Sequence, residues 1–295
     1  MTVQARKQEA AMVWKPAILC SSHTISGVMP GGPVPARHGF EARATALRQA
    51  DYDGLCLHLR DYRALRAQGH DDAFLVAILE RHGLRCHSVE FLLEWFLEGE
   101  AGAQSRDDEA TAYRAAQAFG AHTLNVGSDF AGRDLPRETM RARFRELTAR
   151  AMDHGLSVAL EIVPWSDAPD VDAAMDMIGD CPNAGLVIDC WHVFRGGVPL
   201  AEIGRIPGDR ILDVQINDAD AEIRGSLVED TLNRRACGKG SFDLAAFLAT
   251  VASTGTTAPL SVEIISQELA AMDAATAASF SIAGVRELLA QKKEA

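Results

Sequence analysis

Four side chains with oxygen donors stand near the ends of four successive apolar segments in the second half of the chain. They are Glu161 in ALEIVPW, Asp189 in LVIDCWH, Gln215 in VQIND and Glu263 in LSVEI. A carboxylate buried in an apolar strand is costly unless it has a partner or binds an ion. Carboxylate and amide oxygens are the ligands that hard divalent cations prefer. These four residues therefore predict a Mn²⁺ or Mg²⁺ site.

Three further residues are placed where a substrate beside such an ion would contact them. His192 follows Asp189 by three residues, so we expect it to face the same pocket; the alternative is a helix-start residue that supports Asp189. Glu90, in HSVEF, is predicted to hydrogen-bond substrate, with a salt bridge to Arg60 as the alternative. Trp165 suits a wall for a sugar ring, and it suits packing at the mouth of the fold almost as well.

The elements that must position these residues alternate between short apolar runs and longer amphipathic stretches. Such alternation is typical of parallel βαβ units, and the spacing of the runs favours a closed (β/α)8 TIM barrel, whose sites form at the carboxyl ends of the strands. A doubly wound sheet is the rival, but no GxGxxG motif follows the first run. Predicted strands cover residues 17–21, 54–59, 84–91, 122–126, 156–162, 184–188, 211–216 and 260–264, and predicted helices cover 40–50, 72–82, 107–119, 137–154, 171–178, 244–253 and 276–289.

Composition and charge limit the classes of protein to which the chain can belong. With 295 residues, 47% of them hydrophobic, it can bury one large core. The formal net charge of −12 argues against binding to nucleic acid or an anionic membrane, since phosphate groups need a basic surface. Six cysteines without a CxxC pair, and no visible secretory or membrane-spanning segment, favour a cytoplasmic protein. We expect residues 1–14 to form a flexible tail and residues 15–295 a single TIM-barrel domain.

The chain resembles the xylose-isomerase-like barrels, the sugar phosphate isomerase/epimerase superfamily, most strongly over residues 156–265. The resemblance rests on ALEIVPWSDAPDVDAAMDMI, on PNAGLVIDCWHVFRGG with its D-x-x-H, and on ILDVQINDA, NRRACGKGSFDLAAFL and PLSVEI. It implies the same four metal positions, although Gln215 stands where ketose epimerases carry histidine. The N-R-R-x-x-G-x-G motif implies that Arg234 lies near substrate or metal; the alternative is a solvated pair with Arg235.

The resemblance also implies proton transfer next to a carbonyl group, with a divalent ion stabilising an enediolate. Glu161 and Glu263 are the predicted acid and base, and His192, Arg234, Glu90 and Trp165 the predicted substrate contacts. The expected function is a metal-dependent isomerase or epimerase of a keto-sugar or cyclitol in carbohydrate metabolism. The alternative is a lyase on the same scaffold, a ketocyclitol or dehydroshikimate dehydratase. A DNA-repair endonuclease of this fold is disfavoured by the acidic charge, and a homo-oligomer is left open.

Overall fold

A computed structural model describes residues 14–32 and 36–291, apart from the side chain of Gln291. Its centre is a closed barrel of parallel strands, in which each strand pairs with the next along the chain and the last pairs with the first. The predicted (β/α)8 barrel is thus confirmed. The strands are β1 (Ile18–Ser21), β2 (Gly54–His58), β3 (Arg85–Leu92), β4 (Thr123–Val126), β5 (Ser157–Glu161), β6 (Ala184–Asp189), β7 (Ile211–Ile216) and β8 (Leu260–Val262).

Helices connect the strands and cover the outside of the barrel. Several begin at an aspartate whose side chain accepts a backbone N–H, as Asp170 does from Ala173 at 2.8 Å. The helix ending at His82 stops at Gly83, which adopts the left-handed conformation that glycine permits. Within the described residues the helices are Ser22–Ile25, Phe40–Gln49, Leu59–Ala67, Asp72–His82, Gly99–Phe119, Arg137–Asp153, Val171–Ile178, Cys190–Gly196, Leu200–Ile203, Leu227–Asp230, Leu244–Ser253, Gln267–Ala271 and Ala274–Gln291.

The strands are covered on both faces, which is why they read as continuous apolar runs rather than as an alternation. β4 and β6 are buried at every position. A polar residue in such a strand stands out for this reason, because burial leaves it no access to bulk water. The strand sequences therefore mark the site more clearly than the helices do.

The chain enters the barrel at Trp14. Its ring is buried, and its indole N–H donates to the backbone oxygen of Ala258 at 2.9 Å. Residues 1–13 of the predicted tail lie outside the described residues. No helix in the described part of the chain is both long and apolar enough to cross a membrane.

Candidate active site and metal centre

The barrel brings the four predicted metal ligands to its carboxyl end. Glu161 and Asp189 are the last residues of β5 and β6, Gln215 is the next-to-last residue of β7, and Glu263 directly follows β8. Each is at most 9% exposed. Parallel neighbouring strands place their ends at one rim, so side chains far apart in sequence converge there.

Gln215 lies between the two glutamates. Its terminal amide is 3.1 Å from Glu161 Oε1 and 3.2 Å from Glu263 Oε2. With its nitrogen toward these atoms, the amide donates a hydrogen bond to each carboxylate. With its oxygen toward them, three oxygens converge, and they repel one another unless a cation lies among them.

The donor set fits a divalent cation. Oxygens held at about 2.1 Å in octahedral geometry lie about 3.0 Å apart, which is close to the spacing around Gln215. His192 adds a nitrogen: its Nε2 is 3.3 Å from Glu161 Oε1 and 3.8 Å from Asp189 Oδ2. We expected a substrate contact from His192, and the structure also places it among possible ligand atoms that lie within 4.8 Å of one another. A nitrogen donor extends the range of suitable ions to Zn²⁺.

Replacing Gln215 by leucine is expected to weaken divalent-ion binding by about 100-fold, because the variant loses the amide between the two glutamates. Calorimetric titration of the metal-free protein with Mn²⁺ measures this change. Gln215→His is the matched variant: it keeps a ligand atom and should retain an ion, with a preference shifted toward Zn²⁺ or Co²⁺. Unchanged Mn²⁺ affinity in the leucine variant would show that Gln215 is not a ligand.

Arg234 is a buried bridge between two of the predicted ligands. Its Nη1 donates to Asp189 Oδ2 at 2.7 Å and to Glu263 Oε2 at 2.9 Å, and the residue is 2% exposed. Burial lowers the pKa of Arg234, but the charges of Asp189 and Glu263 outweigh burial, so the net shift is upward. For the acidic Glu263, burial acts in the other direction and raises the pKa to about 7, although the charge of Arg234 opposes this rise. Arg234 is therefore not half of a solvated pair, and its charge offsets part of the carboxylate cluster.

Asp218 holds the loop that carries Arg234, a role that its position three residues after Gln215 did not reveal. A Cβ at Gly240 would lie 2.3 Å from Asp218 Oδ1, so this close approach needs glycine. The loop after residue 234 folds around the buried carboxylate of Asp218, as its hydrogen bonds show. The Asp218 carboxylate accepts backbone N–H groups at 2.9–3.1 Å from Ala219, Gly238, Gly240 and Phe242.

Glu90 belongs to the same pocket. Ser21 Oγ lies 3.0 Å from Glu90 Oε1 and 3.1 Å from Glu263 Oε1. Burial first, and then the charge of Glu263, raise the pKa of Glu90 well above its usual range. Among the residues that the structure describes, no ion pair joins Glu90 to Arg60, so the alternative salt bridge is not formed. The raised pKa favours the neutral carboxylic acid form of Glu90, which can donate a proton.

Trp165 and His192 form an aromatic wall above the carboxylates. Their ring centroids are 5.3 Å apart in an edge arrangement, and Trp165 is half-buried. His192 Nδ1 is buried and has no hydrogen-bond partner in the described part of the chain. Both rings line a cavity of about 350 Å³, which suits a small ring-shaped ligand. Glu90, Glu161, Gln215, Arg234 and Glu263 line the same cavity.

Two curated relatives match part of the chain. It is 32% identical over 177 residues to the 3-dehydroshikimate dehydratase of Pseudomonas aeruginosa, an alignment covering 59% of this chain and 27% of the relative. It is 32% identical over 125 residues to the 3-dehydroshikimate dehydratase of Pseudomonas putida, covering 41% of this chain and 19% of the relative. The chain thus spans well under half the length of these curated relatives.

Solved structures and a family model agree with the barrel described above. The structure of an IOLI protein with a zinc atom superposes with a TM-score of 0.81 at 16% identity, covering 93% of this chain and 98% of that chain. At that identity the match shows a shared fold. The family model described as xylose isomerase-like TIM barrel matches residues 40–287, which include all four predicted ligands. As the sequence resemblance predicted, the chain belongs to the xylose isomerase-like TIM-barrel family.

Proposed function

We propose that this protein is a divalent-metal-dependent dehydratase that removes water from a cyclic hydroxyketone of the 3-dehydroshikimate type. A C–H bond next to the carbonyl breaks, the hydroxyl on the following carbon leaves, and a C=C bond and water form. The observation that carries the proposal is that one pocket holds both the His192–Glu161 pair and the buried Glu90 carboxyl, whose pKa burial raises. Elimination of water needs both a base and an acid. His192 beside the Glu161 carboxylate suits the role of base, and the buried Glu90 suits the role of acid.

His192 is the proposed base. Its Nε2 faces Glu161 Oε1 at 3.3 Å, which favours the tautomer with hydrogen on Nε2 and a free lone pair on Nδ1. Nδ1 is buried and has no partner in the described residues, so no protein group occupies that lone pair, and a substrate proton that reaches it can be accepted. The Glu161 carboxylate then stabilises the imidazolium that forms.

Glu90 is the proposed acid. As a neutral carboxylic acid it can protonate the departing hydroxyl, which leaves as water. Ser21 lies between Glu90 and Glu263, so Ser21 can donate to whichever carboxylate carries the negative charge. Glu90 is reset when it regains a proton after the product leaves.

The remaining pocket residues hold and stabilise the substrate. A divalent ion, proposed to be Mn²⁺ or Mg²⁺ held by Glu161, Asp189, Gln215 and Glu263, would stabilise the negative charge that develops on the carbonyl oxygen. Arg234 adds a fixed positive charge at the same end of the pocket. Trp165 offers an apolar face to the ring.

The curated relatives support a dehydratase more directly than an isomerase. Both carry the name 3-dehydroshikimate dehydratase, and both align at 32% identity. The cytoplasm is the proposed place of action, because all six cysteines are free and buried, as is usual for proteins in a reducing compartment.

The proposal is tested by incubating the Mn²⁺-loaded protein with 3-dehydroshikimate and measuring water loss by product absorbance and mass. We expect a product lighter by one water, and slower turnover when the carbon next to the carbonyl carries deuterium. Metal-free protein is the control and should be inactive until Mn²⁺ is added. If the loaded protein causes no water loss and no deuterium exchange, the proposed proton abstraction from this substrate is refuted.

An epimerase is the second candidate, and the position of Gln215 favours it. Glu161 and Glu263 lie on either side of this amide, so they can approach one substrate carbon from different sides and serve as base and acid. Incubation of the Mn²⁺-loaded protein with a substrate in heavy water distinguishes the two. Exchange at the carbon next to the carbonyl, without water loss, marks an epimerase or isomerase of a keto-sugar or cyclitol.

The proposed acid sets a pH dependence. Glu90 must be protonated to act, so kcat/KM should fall as the pH rises through its raised pKa. Glu90→Gln cannot donate this proton and should lower kcat by about 100-fold or more. Glu80→Gln, an exposed change on the helix Asp72–His82, should leave the pH profile unmoved. A profile without an alkaline limb would remove Glu90 from this role.

A further inference from the structure

A second cavity adjoins the active-site pocket on the side of the loops that follow β1 and β2. Its volume is about 300 Å³, and it shares His23, His58 and Phe91 with the active-site pocket. Its wall also carries Arg60, which is exposed. We propose that this cavity is an anion subsite in which Arg60 holds a carboxylate of the substrate, so that carboxylated ring ketones are accepted in preference to neutral sugars.

The other charges around this cavity are already paired. Arg63 lies 2.6 Å from Asp107 and 2.8 Å from Asp108. Asp61 receives two hydrogen bonds from Arg43, at 2.7 Å and 3.1 Å. Arg43 cancels Asp61, whereas Arg63 faces two carboxylates, so these five groups together carry one net negative charge.

Arg60 differs from these residues. Across residues 14–32 and 36–291 it forms no ion pair, and its Nη2 reaches only the backbone oxygen of Gly32 at 3.4 Å. Arg60 therefore presents to the cavity a guanidinium that no carboxylate of the described residues pairs. A guanidinium without an ion-pair partner can donate two parallel N–H···O hydrogen bonds to a planar carboxylate.

Two neutral histidines complete the subsite. The His23 and His58 rings are 4.9 Å apart in an edge arrangement. Burial first, helped by nearby arginine charge, lowers the pKa of His23 to about 4, and burial lowers that of His58 to about 3. His58 Nδ1 accepts the backbone N–H of Arg60 at 3.2 Å, so its remaining hydrogen is on Nε2. His58 can therefore donate a neutral hydrogen bond while Arg60 supplies the charge.

The two adjoining cavities differ in the charged groups that each can offer to a ligand. At the inner end, the three carboxylates of Glu161, Asp189 and Glu263 exceed the single charge of Arg234 and attract a cation. At the outer end, the unpaired Arg60 attracts an anion. A neutral sugar would leave Arg60 unpaired, whereas a hydroxyketone ring with a carboxylate satisfies both ends. The identity of the reacting ring rests on the proposed function; binding of an anion at Arg60 does not.

Binding of two non-reacting rings tests this subsite. Shikimate carries the carboxylate but no ketone, and its methyl ester lacks the charge. Calorimetry on the Mn²⁺-loaded full chain should show that Arg60→Gln weakens shikimate binding by about 30-fold and ester binding by less than about 2-fold. Arg66→Gln is the matched control, because Arg66 lies on the same helix, outside the cavity, and pairs with Asp72 at 3.2 Å.

The outcomes separate this inference from the dehydratase proposal. Equal loss of acid and ester binding in Arg60→Gln, or equal loss of shikimate binding in Arg66→Gln, would overturn the subsite. If Arg60 controls shikimate binding but 3-dehydroshikimate is not dehydrated, the subsite stands and the dehydratase is wrong. If 3-dehydroshikimate is dehydrated with the same KM in Arg60→Gln, the dehydratase stands and the subsite is wrong.

Discussion

Glu161→Gln is expected to lower kcat/KM on the order of 10⁴-fold, because one substitution removes a predicted metal ligand and the carboxylate facing His192. Glutamine keeps the size of the side chain but loses its charge. The variant should also lose most of its Mn²⁺ on dialysis. Steady-state kinetics with saturating Mn²⁺ and metal analysis of the dialysed protein measure the two effects.

The matched control for this variant is Glu80→Gln, an exposed charge on the outside of the barrel. It should keep both full activity and full metal content. Activity of Glu161→Gln within about 10-fold of the parent would contradict both the ligand and the base-supporting role. Retained metal with lost activity would keep the role next to His192 and remove the ligand role.

Asp218→Ala is expected to lower the free energy of unfolding by about 3 kcal/mol and kcat/KM by about 100-fold. The variant leaves four backbone N–H groups without their acceptor. The loop then loses the contacts that place Arg234 between Asp189 and Glu263. Urea unfolding measures the stability, and hydrogen exchange should rise first at residues 238–242.

Asp218→Asn keeps an acceptor oxygen and should recover part of the stability, while Asp209→Ala removes an exposed aspartate and should change neither quantity. If Asp218→Ala unfolds like the parent, the hydrogen bonds to this carboxylate do not stabilise the loop. If it is destabilised but fully active, Arg234 does not need the loop for its position.

The barrel, and the position of the four polar strand residues at one rim, were predictable because burial on both faces makes a polar strand residue conspicuous. Asp189 and Gln215 stand out within apolar runs and indeed lie at one rim. The contacts of Arg234 were not predictable in the same way. They join a loop to the ends of β6 and β8, and no local pattern records which strands a loop side chain will reach.

The predicted second strand, 54–59, shows why boundaries are harder to predict than elements. Leu59 continues the apolar run, so the sequence pattern extends the strand through it. In the structure β2 ends at His58, whose Nδ1 accepts the Arg60 N–H and starts the helix Leu59–Ala67. Histidine is not among the preferred capping residues, so this helix start carries no strong signal.

Backbone hydrogen bonds hold the long segment between β7 and the helix Leu244–Ser253 at two places, just after β7 and at residues 234 and 235. Asp218 and Arg235 exchange backbone hydrogen bonds at 2.9 Å and 2.7 Å, and the Arg234 N–H donates to Ile265 O at 3.0 Å. Between these anchors, residues 221–226 are exposed, and Val228 lines the pocket. Because loop length costs little free energy, insertions at 221–226 should be tolerated without moving Arg234. Residues inserted in this stretch, by evolution or by design, could therefore change the wall of the pocket without changing the carboxylate cluster beneath it.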